Sequence, residues 1–353
     1  MSVRRPNTAA LLVGLLLPAV VCPSVVAQDR ALLPKHMTPA AQKAIKAGLD
    51  VLAKTQSPDG NWTGSADGAT YGVVVASLAG MAFLANGNTP SRGPYAENVR
   101  RAEGYVMSQA RESGLICSAQ EVNSRSMYGH GFGLLFLASV YGMESDDKRR
   151  GTLKTIIDNA VKLTATAQSS LGGWTYVPGD GDEGSVTITQ MQALRAANNA
   201  GFTVPKGTTE AAIKYLEKCQ TPEGGIMYSF GSDPTPLLAI SAAALASMYN
   251  AGDYESKMAD TCLAWVHKQM SINKGSWSKG SGHDFYTHLY ASQSFYQAGD
   301  KYWDDYFPPA RDQLVKSQGK DGAWEGDVGP VYGTSIALII LQLPYKYLPI
   351  YQR

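Results

Sequence analysis

Asp180, Asp182 and Glu183 stand within one short Gly-containing stretch, Asp180-Gly181-Asp182-Glu183. Crowded carboxylates repel, so one of them keeps its proton more readily than a lone acid. Such a group can serve as a general acid. The same oxygens can bind a cation, or accept the first N–H groups of a following helix beside Ser185. His130 lies between Gly129 and Gly131, where missing side chains let backbone come close to a neighbour or ligand. His288 sits in Asp284-Phe285-Tyr286-Thr287-His288, and both histidines read as ligand-binding or as packed polar residues. His283 reads as exposed, and His36 and His267 as structural or surface. Tyr71, Tyr128, Tyr176, Tyr228, Phe230, Tyr286, Tyr290 and Tyr332 are spaced so that each opens a helical segment. Such rings can hold a cation, stack on a sugar or fill space; of them Tyr128, Tyr176, Tyr286 and Tyr332 are the expected ligand-binding set.

These residues are positioned by a repeat. Thr55 to Trp62 (TQSPDGNW), Ala167 to Trp174 (AQSSLGGW), Lys268 to Trp277 (KQMSINKGSW) and Ser317 to Trp324 (SQGKDGAW) each run from a glutamine through a Gly turn to a tryptophan. Cys219 to Tyr228 is a degenerate copy. The anchors read as Gln56, Gln109, Gln168, Gln220, Gln269 and Gln318, at spacings of 53, 59, 52, 49 and 49 residues. Each interval has room for two helices and two turns. The helix before each anchor is amphipathic, as in Ala44, Ile45, Leu49 and Leu52 with lysines between them. The helix after each turn is apolar nearly all round: 73–84, 131–141, 186–197, 237–249, 290–297 and 335–343. Six wet outer helices and six buried inner ones imply an all-α (α/α)6 toroid, spanning 40–353 as a single domain. Gly60, Gly173, Gly225, Gly275 and Gly322 are the expected positive-φ positions of the turns. The second unit departs, with no tryptophan after Gln109 and the longest interval following it. The glutamines and tryptophans therefore read as architecture, and the sequon at Asn61-Trp62-Thr63 as incidental.

The N-terminus has Arg4 and Arg5, an apolar run from Ala9 to Val21, and a small-residue site ending at Ala27. This pattern predicts a signal peptide over 1–27, an extension over 28–39, and export to the periplasm or outside the cell with no membrane anchor remaining. Cleavage would lower Lys+Arg from 31 to 29 against 30 Asp+Glu, moving the formal charge from +1 to −1. A near-neutral chain offers no basic field for nucleic acid. Cys117, Cys219 and Cys262 permit one disulfide at most and read as small buried thiols. There is no phosphate loop, dinucleotide fingerprint, Gly-x-Ser-x-Gly or His-Glu-x-x-His, and no cofactor is expected.

The Gln-to-Trp repeats resemble the QW motifs of squalene and oxidosqualene cyclases, and the helical ring resembles that of protein prenyltransferase β subunits. Met127-Tyr128-Gly129-His130-Gly131-Phe132 and the ending from Tyr332 are similar to those of exported planctomycete-type repeat proteins. The resemblance runs over about 40–345 and implies one toroid, where the hopene cyclases have two. Asp180-Gly181-Asp182-Glu183 resembles the D-x-D-D motif of class II terpene cyclases, which implies Asp182 as proton donor; Glu183 stands where the motif has Asp. Asp284-Phe285-Tyr286-Thr287-His288 resembles the stretch that supplies a zinc-binding His in the prenyltransferases. Here the His is displaced by one, and Thr235 stands where a thiolate belongs, so no metal is expected. Three function classes follow. The first is a non-enzymatic protein that binds a ligand or partner (an apolar or polyprenoid molecule, a protein or a polysaccharide). The second is a squalene-type cyclase using Asp182. The third is a carbohydrate-active barrel with paired acids. Asp182, His130 and His288 are expected to face one rim.

Overall fold

The computed structural model describes residues 1–2, 33–62, 71–179, 181–272 and 283–352. The chain divides at Leu33, and the unit Pro34–Arg353 carries every helix described. The predicted signal segment, Asp180, Thr63, Gly275 and Trp277 lie outside the described residues.

Among the described residues there are twelve α-helices and no strand. The outer helices are α1 (Pro39–Thr55), α3 (Ala96–Ser108), α5 (Asp147–Thr166), α7 (Lys206–Cys219), α9 (Lys257–Ile272) and α11 (Asp300–Ser317). The inner ones are α2 (Gly72–Ala85), α4 (Ser126–Tyr141), α6 (Gly184–Asn199), α8 (Leu238–Asn250), α10 (Asp284–Ala298) and α12 (Pro330–Gln342). Inner helices pack on each other in order, and α12 returns to α2, closing the ring. Every residue of α2 is buried, as its uniform apolarity requires. The outer helices bury one stripe, on α1 Ala41, Ala44, Ile45, Gly48, Leu49 and Leu52. Two short 3₁₀ turns, Leu343–Tyr345 and Pro349–Tyr351, follow α12, and the second packs against α6. No described helix is long and apolar enough to cross a membrane.

The repeat is one joint built over and over. The amides of Gln56, Gln168, Gln220 and Gln318 donate to the glycine carbonyls four residues on, Gly60, Gly172, Gly224 and Gly322. The same amides donate to carbonyls near the starts of the next outer helices, at Asn98, Thr208, Met258 and, across the ring closure, Ala44. Trp62, Trp174 and Trp324 are buried, and each indole donates to a carbonyl of the preceding outer helix, Leu52, Thr164 and Leu314. Burying so large a ring while satisfying its N–H explains why tryptophan recurs there.

The sequence register needs two corrections. In the third and fourth joints the positive φ falls on Gly172 and Gly224, not on Gly173 and Gly225. A side chain at Gly172 would stand 2.2 Å from the carbonyl of Ala211, so this glycine answers both conformation and close approach. Gly173 and Gly225 instead make room for Tyr215 and Trp265. In the second unit the anchor position belongs to Ala110, not Gln109. Arg111 N donates to Leu115 O, and Ala110 bridges to Ile116, the pairings that Thr221 N makes with Gly225 O and Gln220 with Ile226. Gln109 reaches only Ser108. Five of the six inner helices also begin earlier than hydropathy suggests, α10 at Asp284 rather than at residue 290. Their tyrosine- and glycine-bearing first turns look less apolar than the rest.

Candidate functional site

Two residues after each tryptophan position, the third and fourth joints place a tyrosine. The carbonyl of Tyr176 accepts from Met127 N at the start of α4, and that of Tyr228 from Gly184 N at the start of α6. These backbone bonds lay both rings over the N-terminal mouth of the barrel, where their hydroxyls share a hydrogen bond. Tyr128 joins them from α4, its ring 5.9 Å from that of Tyr176. Arg125, just before α4, lies 5.2 Å over the Tyr176 ring and donates to the Tyr71 hydroxyl at 3.3 Å. Tyr286 donates to the carbonyl of Ser185 at 2.8 Å and stacks edge-on against Tyr290. Tyr290 and Tyr332 are buried nearby, and both are held neutral by desolvation and by neighbouring groups, Tyr332 by Asp327.

Beneath the rings sits a hydrogen-bonded chain. Glu183 is the N-cap of α6, and its carboxylate accepts from Ser185 N at 2.9 Å and Val186 N at 2.6 Å. The Ser185 hydroxyl donates to the same carboxylate at 2.7 Å. With its one proton committed, Ser185 Oγ accepts from the Tyr128 hydroxyl. The relay runs from Tyr128 through Ser185 to Glu183, and it holds the phenol in one orientation. Burial pushes the Glu183 carboxyl above its ordinary value, opposed by the Ser185 and Val186 donors and by Arg125. Burial and the charge of Glu183 push the Tyr128 phenol up, so it remains a neutral donor.

The other predicted residues are placed elsewhere. Asp182 is half-buried and turns away from the barrel: its carboxylate is 3.5 Å from Ser169 Oγ, and its Cβ packs by Gly173 beside Tyr215 of α7. His130 is buried between α4 and α5. Its Nδ1 accepts from Ile116 N at 3.2 Å, so Nε2 carries the proton and donates to Thr164 Oγ1 at 2.9 Å. In sibling joints Thr187, Ser241 and Thr334 accept the equivalent N–H from Trp174, Ile226 and Trp324. His130 therefore latches its joint. His288 lies against α11, with Nδ1 at 2.8 Å from the Tyr306 hydroxyl. Burial lowers His130 to about 4 and His288 to about 3, so both are neutral at pH 7. The expectation that Asp182 and the two histidines share one rim is thus corrected: all three face the layer between inner and outer helices. The rim is instead formed by Tyr71, Tyr128, Tyr176, Tyr228, Tyr286 and Arg125. Sequence reasoning missed Arg125 as part of it, since nothing in its local pattern marks it, and read Ser185 only with the cap of the following helix.

Further in, the interior packs amides among the apolar side chains. Gln192 of α6 donates to Gln293 of α10 across the barrel. Tyr286, Tyr290, Gln293 and Gln297 form one stripe of α10 at helical spacing. Among the described residues no three His, Cys, Asp or Glu side chains converge to hold a metal. Cys117, Cys219 and Cys262 are buried and unpaired.

No family model and no curated protein matches the sequence. Solved structures do match over most of the chain. The type II terpene cyclase MstE from Scytonema shares 14% identity, with 88% of this chain and 100% of that one covered at a TM-score of 0.55. An inactive variant of an α-1,6-mannanase of Salegentibacter, bound to mannotriose, shares 8% identity over 86% and 98% of the two chains, TM-score 0.60. A cellobiose 2-epimerase from Spirochaeta thermophila shares 13% over 88% and 98%, TM-score 0.56. At these identities the likeness shows the α/α toroid fold alone.

Proposed function

We propose that this chain is a ligand-binding toroid, and that its site is the tyrosine-ringed mouth over Ser185 and Glu183. The observation that carries this reading is the Tyr128–Ser185–Glu183 chain. It presents an oriented, neutral phenol among rings that expose both a flat face and a hydroxyl edge. Such a surface suits an uncharged, hydroxyl-bearing small molecule. The amides packed below it agree with the same class, because a hydrocarbon chain beside them would bond none of their polar atoms. Among proteins of like fold, a variant of MstE is seen in complex with its substrate geranylgeranyl dihydroxybenzoate and the mannanase variant with α-1,6-mannotriose, which agrees with a small-molecule site but does not choose between them. Export of the mature chain after Ala27 belongs to this reading.

The cyclase alternative asks Asp182 to protonate a guest in the barrel, and its carboxylate faces Ser169 and α7 instead. The carbohydrase alternative needs two opposed acids. Glu183, an acid at this mouth, is engaged as a helix cap. The test is ligand screening by protein-observed NMR on the purified chain. Tyr128→Phe and Tyr176→Ala are expected to weaken any hit, the latter by about tenfold or more, a loss of about 1.4 kcal/mol. Asp182→Asn should leave it unchanged. Unaltered binding by both tyrosine variants would refute the site. Turnover of squalene that disappears in Asp182→Asn would refute the class.

A further inference from the structure

The mouth continues outward into a platform. Val177, Tyr228, Phe230 and Leu237 are exposed by 37%, 37%, 50% and 43%, unusual for such side chains. All four belong to the loops that open the third and fourth joints. Those loops are joined to one another and to the mouth: Tyr176 bonds Tyr228 through their hydroxyls, and Tyr228 O accepts from Gly184 N. Leu237 N donates to Ile226 O, tying the far end of the patch to the fourth joint. Lys218 stands 5.9 Å over the ring of Phe230, as Arg125 stands over Tyr176, so each ring is steadied by a cation. The result is a run of aromatic surfaces leading from Phe230 through Tyr228 and Tyr176 to Tyr128 at the mouth.

Building on the ligand-binding reading of that mouth, we infer that the platform and mouth together take a linear, uncharged glycan, its chain lying on Phe230, Tyr228 and Tyr176 and its terminal sugar over Tyr128 and Ser185. Three observations favour a glycan over a lipid surface or a hydrocarbon chain. Aromatic rings, not aliphatic side chains, make up this run, and three of them, Tyr228, Tyr176 and Tyr128, carry hydroxyls at the edge. The Tyr128 and Tyr176 rings meet at 5.9 Å, tilted by 39°, so together they form one aromatic surface. Beyond the mouth, the α10 stripe holds two buried polar atoms that make no hydrogen bond of good geometry, the Tyr290 hydroxyl and Gln297 Oε1. Polar groups of this kind penalise contact with hydrocarbon and match hydroxyls. The platform carries Asp233 as well as Lys218, so it offers no single-sign field for an acidic polymer or an anionic bilayer.

The experiment is calorimetric titration of the full chain with cello-, malto- and manno-oligosaccharides from disaccharide to hexasaccharide. Oligogalacturonides and phosphatidylcholine vesicles run in parallel. For one neutral series, affinity should rise about tenfold with chain length, as extra units reach the platform. Phe230→Ala, at a half-exposed site, should erase that rise while leaving disaccharide affinity and thermal stability intact. Tyr176→Ala should weaken every length. Affinity independent of length, or an equal effect of Phe230→Ala on short and long chains, would overturn the platform but leave the mouth reading standing. Binding to vesicles or oligogalacturonides without binding to neutral chains would overturn the glycan. Binding of no sugar at all also overturns it, while a non-sugar ligand lost in Tyr176→Ala would still support the mouth.

Discussion

Replacing His130 by threonine, the residue used at the matching latch by Thr187 and Thr334, should flatten the acid side of the stability curve. The folded chain holds His130 at about 4, below the ordinary 6.5, because the charged ring would be buried between α4 and α5. The unfolded chain therefore takes up a proton first as pH falls. A group depressed in the folded state contributes its full share above pH 6.5 and loses it as pH falls from there toward 4. At about 1.4 kcal/mol per unit the whole share is about 3 kcal/mol, of which about 2 kcal/mol is already lost at pH 5. Threonine forfeits some packing at every pH but keeps a hydroxyl for the Ile116 N–H. The assay is urea unfolding at pH 7, 6 and 5 for both proteins. The variant should be less stable at pH 7, and its loss between pH 7 and pH 5 should be smaller than that of the native chain by about 2 kcal/mol. Parallel curves would refute the reasoning, and so would an NMR titration showing His130 protonating near its ordinary value in the folded chain.

Other outcomes follow from the joints. Gln318→Ala removes the two bonds that tie the last turn to Gly322 and Ala44, and should cost about 1–2 kcal/mol in urea unfolding. Gln109→Ala, which loses only a contact with Ser108, should cost almost nothing. Gly172→Ala sets a methyl 2.2 Å from Ala211 O at a φ of +105° and should lower the melting temperature far more than Gly201→Ala. At Gly201 the φ is +90° with open space around it, leaving a strain of about 1 kcal/mol. Glu183→Gln keeps the shape of the α6 cap but removes its charge; a loss of about 1 kcal/mol and a reoriented Tyr128, read from its ring NMR shifts, are expected.

The sequence alone determined the architecture, since period and composition are local properties. A repeat of Gln, Gly and Trp between amphipathic and apolar helices admits few arrangements other than a closed ring, and a ring is what forms. It also placed tyrosines near the starts of inner helices, because a residue a set distance past a joint lies close to where the next inner helix begins. Side-chain direction was beyond it. Asp182 and Glu183 are neighbours, yet extended backbone sends them to opposite sides, one toward α7 and one under the mouth. His130 looked like a site residue because its equivalence to Thr187, Ser241 and Thr334 is spatial, set by which backbone N–H each meets. Ala110 displaced Gln109 as anchor for the same reason: the turn is defined by hydrogen bonds between strand-like flanks, and residue identity there is free to drift. Only the tertiary structure could turn scattered tyrosines, one serine and one capped glutamate into a single surface. Their union depends on α4, α6 and α10 opening at one rim, a meeting of segments far apart in the chain.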